Sequence, residues 1–168
     1  MRIELKFGLI TVIAGVAWVM IEHLAGLNST QFERGEIARM LFAFMPFILV
    51  FAGMSAKKKQ THHFSFLAAW RTGTAISLIY SIGFAIWFWL YATFINKEFL
   101  QKAVAWENTK LVKQGLSGEA LETAMAANTR MYGGSPFSYA MLFVSFFVMG
   151  VVVSAILALI LKSRKERG

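Results

Sequence analysis

Hydrophobic positions fall into four uncharged runs, Phe7 to Ile21, Met40 to Ala56, Thr72 to Asn96 and Met131 to Leu161, with charged residues collected between them. Each run is continuous rather than alternating, and far longer than the roughly ten residues of a barrel strand, so the pattern predicts four membrane-spanning helices. At about 1.5 Å per residue the first two runs reach roughly 22 and 26 Å and the third roughly 37 Å, against a hydrocarbon core of about 30 Å. The fourth run is apolar from Phe137 and again reaches roughly 37 Å. Flanking polar residues complete the spans, which are expected at about 7–27, 37–56, 66–96 and 137–161 of a single membrane domain. The short spans then bring Glu22, His23, Glu36 and Arg39 to the membrane boundary.

Asn28 to Gly35 reads as a short polar turn between spans one and two, with no site suggested there. Residues 97–135 are the one sizeable extramembrane piece. Leu100, Ala103, Val104 and Leu111 recur near helical spacing, and Gly115 stops that helix. Ser117 stands as the N-cap of a second helix, with Glu119 in its first turn and Leu121, Ala124, Met125, Asn128 and Met131 along one face. Gly133, Gly134 and Pro136 end it. The expected fold class is an all-α membrane protein: a four-helix bundle with an extracytoplasmic helical hairpin between helices 3 and 4.

Composition agrees. Of the 168 residues 57% are hydrophobic and only 15% charged, where a water-soluble domain carries about 25% charged residues. The chain has no cysteine, which removes disulfides, thiolate metal sites and thiol nucleophiles together. Arg2 and Lys6 before the first run resemble the start of a secretory signal, but a cut after Ala25 would put His23 at the minus-three position, so an uncleaved anchor is expected.

Charge sets the orientation. Arg2, Lys6, Lys57, Lys58, Lys59, Arg71, Lys162, Arg164, Lys165 and Arg167 lie on one side, and seven cations spread over longer segments, nearly balanced by six glutamates, lie on the other. Both termini are therefore expected in the cytoplasm. Lys57, Lys58, Lys59, Lys162, Arg164 and Lys165 are candidate contacts for anionic lipid head groups. Trp87, Trp89 and Tyr91 at the outer end of span three, Tyr132 and Tyr139 at the start of span four, and Trp70 at the inner end of span three read as interfacial anchors.

Small residues carry the packing information. Ala69, Gly73, Ser77 and Ser81 recur every four positions in span three, as do Gly150, Ser154 and Ala158 in span four, so these spans are expected to be the closest pair unless a stripe forms a homodimer seam. Pro46 should kink span two between Phe42 and Pro46. Glu22 and Arg39 stand at matching ends of the first hairpin and are expected to form a boundary ion pair.

No chemistry-bearing constellation emerges. The chain contains no Asp, adjacent His62 and His63 diverge by about 100° on a helix, and no phosphate loop, dinucleotide fingerprint or nucleophile elbow is present. Glu98, Glu107, Glu119 and Glu122 read as solvated helix faces. No enzyme activity, cofactor, metal or nucleic-acid partner is expected. The leading expectation is a non-catalytic accessory or scaffold subunit acting through helix–helix and hairpin contacts, as a homo-oligomer or in a complex. The alternative is a small oligomeric permease or lipid-handling protein.

Phe44-Met45-Pro46-Phe47, Phe64-Ser65-Phe66, Gln114-Gly115-Leu116-Ser117-Gly118-Glu119 and the run from Val153 to Lys162 together resemble the domain-of-unknown-function family numbered 4199, small bacterial proteins with four predicted spans. The basic residue and glycine that this family carries in the segment opening span three fall here to Arg71 and Gly73. The resemblance implies the same four-span plan and a Gram-negative inner-membrane location, and it carries no site residues.

Overall fold

The computed structural model describes residues 2–163, so Arg164 and Lys165 lie outside the described residues. Seven α-helices follow one another: α1 (Ile3–Leu24), α2 (Phe32–Phe42), α3 (Met45–Lys59), α4 (Phe66–Leu90), α5 (Phe99–Lys113), α6 (Gly118–Tyr132) and α7 (Pro136–Leu161). There are no strands among the described residues. Four stretches are long and apolar enough to cross a membrane: α1, α2 with α3, α4 with its extension to Ile95, and α7.

Local signals account for the ends. Gly26 and Gly115 take positive φ of 73° and 82°, and each closes its helix with the same pair of bonds. Gly26 N donates to His23 O and Leu27 N to Glu22 O, just as Gly115 N donates to Val112 O and Leu116 N to Leu111 O. Only a residue free of a Cβ adopts this turn without strain. Ser65 and Ser135 cap α4 and α7 by accepting from Ala68 N and Ser138 N, both at 3.2 Å. Ser117 occupies the N-cap of α6 but makes no side-chain capping bond.

The second span is two helices. Ala43 and Phe44 separate α2 from α3, and Pro46 stands in the first turn of α3, where its missing N–H costs nothing. α2 also begins at Phe32, inside the segment that the sequence reads as a turn. Gly35 allows this, because a Cβ there would collide with the carbonyl of Leu27 on the link.

α4 is the central helix, packing against α1, α3 and most extensively α7. Its contact with α7 is built from reciprocal small residues: a Cβ on Gly73 would lie 2.5 Å from Ser154 Oγ, and one on Gly150 would lie 2.5 Å from Ser77 Cβ. Ala69, Ser81 and Ala158 are buried along the same seam. Such close approach is how helices associate where no hydrophobic force separates them from lipid. Trp70 reinforces the seam, its Nε1 donating to Val151 O at 3.2 Å.

α4 does not end as an α-helix. Tyr91–Ile95 form one wide π turn, closed by Asn96 N donating to Tyr91 O at 2.8 Å. From there the chain turns into α5, which pairs with α6. Asn128 donates to Asn108 across that pair at 3.1 Å.

Candidate functional site

The end of the bundle that carries α5 and α6 holds a buried polar cluster beside an aromatic-walled cavity. The cluster begins at the last turn of α1, where Glu22 is 3% exposed and accepts from Trp18 Nε1 at 2.8 Å. One residue on, His23 Nδ1 lies 3.2 Å from the Tyr91 hydroxyl. Asn96 Nδ2 donates both to that hydroxyl at 3.0 Å and to the carbonyl of Asn28 at 3.1 Å. Arg39 donates to Asn28 Oδ1 at 3.0 Å and to Phe32 O at 3.3 Å, and its guanidinium lies 4.7 Å from the centre of the Phe32 ring. Four segments that are distant in sequence are thereby joined: α1, the α1–α2 link, α2 and the π turn. Buried polar groups need such partners, since an unmade hydrogen bond inside a protein costs about 1–3 kcal/mol.

Several expected roles change here. Tyr91 is fully buried and hydrogen-bonded within the protein, so it is an internal strut and not an interfacial anchor. Asn28, read as part of a featureless turn, is 2% exposed and central to the cluster. Glu22 and Arg39 reach the same site but form no direct ion pair among the described residues. Each is instead held by a neutral partner, Trp18 and Asn28 respectively, because burial of Asn28 between the two helices gives the guanidinium a nearer acceptor.

The cavity encloses about 370 Å³. Glu22, Asn28 and Arg39 stand at its polar end, while Phe42, Phe84, Phe88, Leu142 and Phe146 form apolar walls from α2, α4 and α7. Phe99, Leu100 and Ala103 of α5 roof it, with Met131 and Tyr132 from the end of α6. Phe84 and Phe146 meet edge to face at 5.3 Å between ring centres, and Tyr80 packs against both. Counted back from Ile95 at about 1.5 Å per residue, Phe84 lies roughly 16 Å along the span, about half of a 30 Å hydrocarbon core.

The roof is tied down by charge. Glu36 of α2 accepts from Trp106 Nε1 at 3.0 Å and from Lys110 Nζ at 2.8 Å, and Lys110 also pairs with Glu107 at 2.8 Å. Burial alone would lower the ammonium pKa of Lys110, but the bonds to Glu107 and Glu36 outweigh it and hold that pKa above the ordinary lysine value. Glu107, expected on a solvated face, is half-buried and lines the cavity.

The remaining candidates lie elsewhere. The small-residue positions are consumed in the α4–α7 seam and Pro46 is buried at the α2–α3 break. Lys57 pairs with Glu4 at 3.1 Å, and Lys59 and Lys162 are exposed at the opposite end of the bundle from the cavity, with Lys58 half-buried beside them. One sign of the cluster was readable beforehand: Glu22 and His23 closing an apolar run. The cavity walls had none, since their phenylalanines are those of any membrane helix.

Compared with known proteins, residues 6–163 match the model of a family described as "Protein of unknown function (DUF4199)". No curated protein and no solved structure matches the chain.

Proposed function

The chain belongs to the DUF4199 family of proteins of unknown function, and we propose that its task is to bind a single-chain amphiphile from the surrounding bilayer, as a lipid-handling membrane protein. The observation that carries this is the cavity, polar at one end with Glu22, Asn28 and Arg39 and aromatic along the half-span below them. That gradient matches a molecule with a polar head and an apolar tail. Its volume of about 370 Å³ is near the lower end of the ~300–1,000 Å³ of ligand pockets, which favours one chain over two. The scaffold reading expected first draws less support, because the small-residue stripes of α4 and α7 face each other inside the chain, Gly73 against Ser154 and Gly150 against Ser77.

In this reading the protein sits in the bacterial inner membrane with both termini in the cytoplasm and the α5–α6 pair on the far side, as the distribution of Lys and Arg suggests. The ligand enters from the outer leaflet beneath the α5–α6 roof.

Native mass spectrometry from mild detergent, with a lysophospholipid added as probe, tests the proposal. The protein should retain one lysophospholipid per chain, and Ala103→Trp, which fills the cavity from the roof, should reduce retention at least fivefold while the unfolding temperature stays within a few degrees. Equal retention by the variant would sink the reading.

A further inference from the structure

At the end of the bundle opposite the cavity, a groove of about 510 Å³ opens between the start of α1, the end of α3 and the start of α4. Three cations line it: Arg2 at the N-cap of α1, Lys57 of α3 and Arg71 of α4. Only Lys57 has an acidic partner, Glu4 at 3.1 Å; Arg2 and Arg71 take part in none of the ion pairs among the described residues. Among the described residues the groove thus carries three positive charges against one negative, Glu4.

Below the charges the wall turns apolar. Ala75 and Ile79 continue the Arg71 face of α4 at four-residue intervals, with Leu5 of α1 opposite and 43% exposed. The groove has a floor as well, since α1 and α4 meet where a Cβ on Gly8 would lie 2.7 Å from Ile79. A cationic mouth at a membrane boundary leading to an apolar channel between helices has the chemistry of a phospholipid site, with the phosphate at the mouth and a chain in the channel. We propose that this groove is a specific site for an anionic glycerophospholipid, its phosphate held by Arg2, Lys57 and Arg71 and one acyl chain lying along Ala75 and Ile79.

The site differs from a generally basic surface because Lys58 and Lys59 stand on the same helix end but do not line it. That difference supplies the test. The full chain is purified in mild detergent, and retention of phosphatidylglycerol and of phosphatidylcholine is measured by native mass spectrometry. A basic side chain that reaches the head group adds about a fivefold preference for anionic lipid, so Arg2→Gln with Arg71→Gln, both lining the groove, should cut phosphatidylglycerol retention by roughly tenfold or more. Lys58→Gln with Lys59→Gln removes the same charge and should change retention less than twofold. Ala75→Trp keeps every charge, blocks the channel and should also lose the lipid, which guards against a folding defect in the arginine variant. Equal losses from the two double variants, unaltered retention by Ala75→Trp, or phosphatidylcholine held as tightly as phosphatidylglycerol would each overturn the proposal. The Ala103→Trp variant should leave phosphatidylglycerol retention intact, so the two sites fail independently.

Discussion

Glu22 places a carboxylate among aromatic rings, and the company it keeps decides what its removal does. Gln in its place retains an acceptor for Trp18 Nε1, so Glu22→Gln removes charge and little else. Arg39 is then left half-buried with its largest opposing charge gone and only Glu36 and Glu107 acting on it, and coupled neighbours of this kind differ by about 0.5–3 kcal/mol from additivity. Thermal unfolding in detergent should show Glu22→Gln destabilised and Glu22→Gln with Arg39→Gln largely restored. Lysophospholipid retention should fall in the single variant and stay low in the double. Recovery of both stability and retention would mean that the two charges serve only each other, and the cavity would lose its polar anchor.

At the scale of elements, the α4–α7 seam is the stiff part of the molecule. A side chain at Gly73 meets Ser154 Oγ and Met54 Sδ at once, and one at Gly150 meets Ser77, so neither neighbour can give way without moving a helix. Overpacking of this sort costs about 1–3 kcal/mol. Gly73→Leu and Gly150→Leu should each lower the unfolding temperature, whereas Leu78→Phe, on a lipid-facing position 38% exposed, should not. The seam was legible in the sequence because small residues every four positions have few other uses in a membrane helix. The four apolar runs, the Pro46 break and the Gly115 stop were legible for similar reasons of periodicity and backbone chemistry.

The link between α2 and α5 was not legible, since Glu36 lies 70 positions or more from Trp106 and Lys110 and shares no pattern with them. Its pH behaviour follows from Lys110. An ammonium pKa raised in the folded chain contributes stability that is complete below the ordinary lysine value, about 10.4, and is lost as pH rises through the folded value. The roof should therefore stay closed from neutral pH to about 10 and loosen above it, read as faster proteolysis or amide exchange in residues 99–132. Lys110→Met should give that exchange pattern at neutral pH. Because the pair is partly exposed, global stability should fall by no more than about 1 kcal/mol.

For the whole molecule, sidedness is the broadest claim. Alkaline phosphatase fused at Gly118 should be active and at Gly168 inactive, if the positive residues set both termini in the cytoplasm. The reverse pattern would invert every statement about leaflets. The same scale explains what sequence reading could not supply. The cavity exists only where six helices and a link converge, most of them contributing ordinary apolar residues, and its polar end depends on Asn28 and Asn96, separated by 68 positions. Neither residue stands out locally, because an asparagine near a helix end is common and its burial is decided by what packs over it.

The π turn at Tyr91–Ile95 can be restated as bookkeeping of phase. A wide turn takes one more residue than an α turn, so the chain leaves the end of this helix about 100° from where a continuous α-helix would release it. Asn96, released there, donates to Tyr91 and Asn28, and the short turn that follows leads into α5, where Phe99 packs against Phe32 and Phe88. Chain length, more than side-chain identity, therefore sets the aim of the roof. Deleting Thr93 would leave every cavity-lining residue in place in the sequence and turn α5 to present a different face. The four spans should still assemble, and the lysophospholipid should no longer be held.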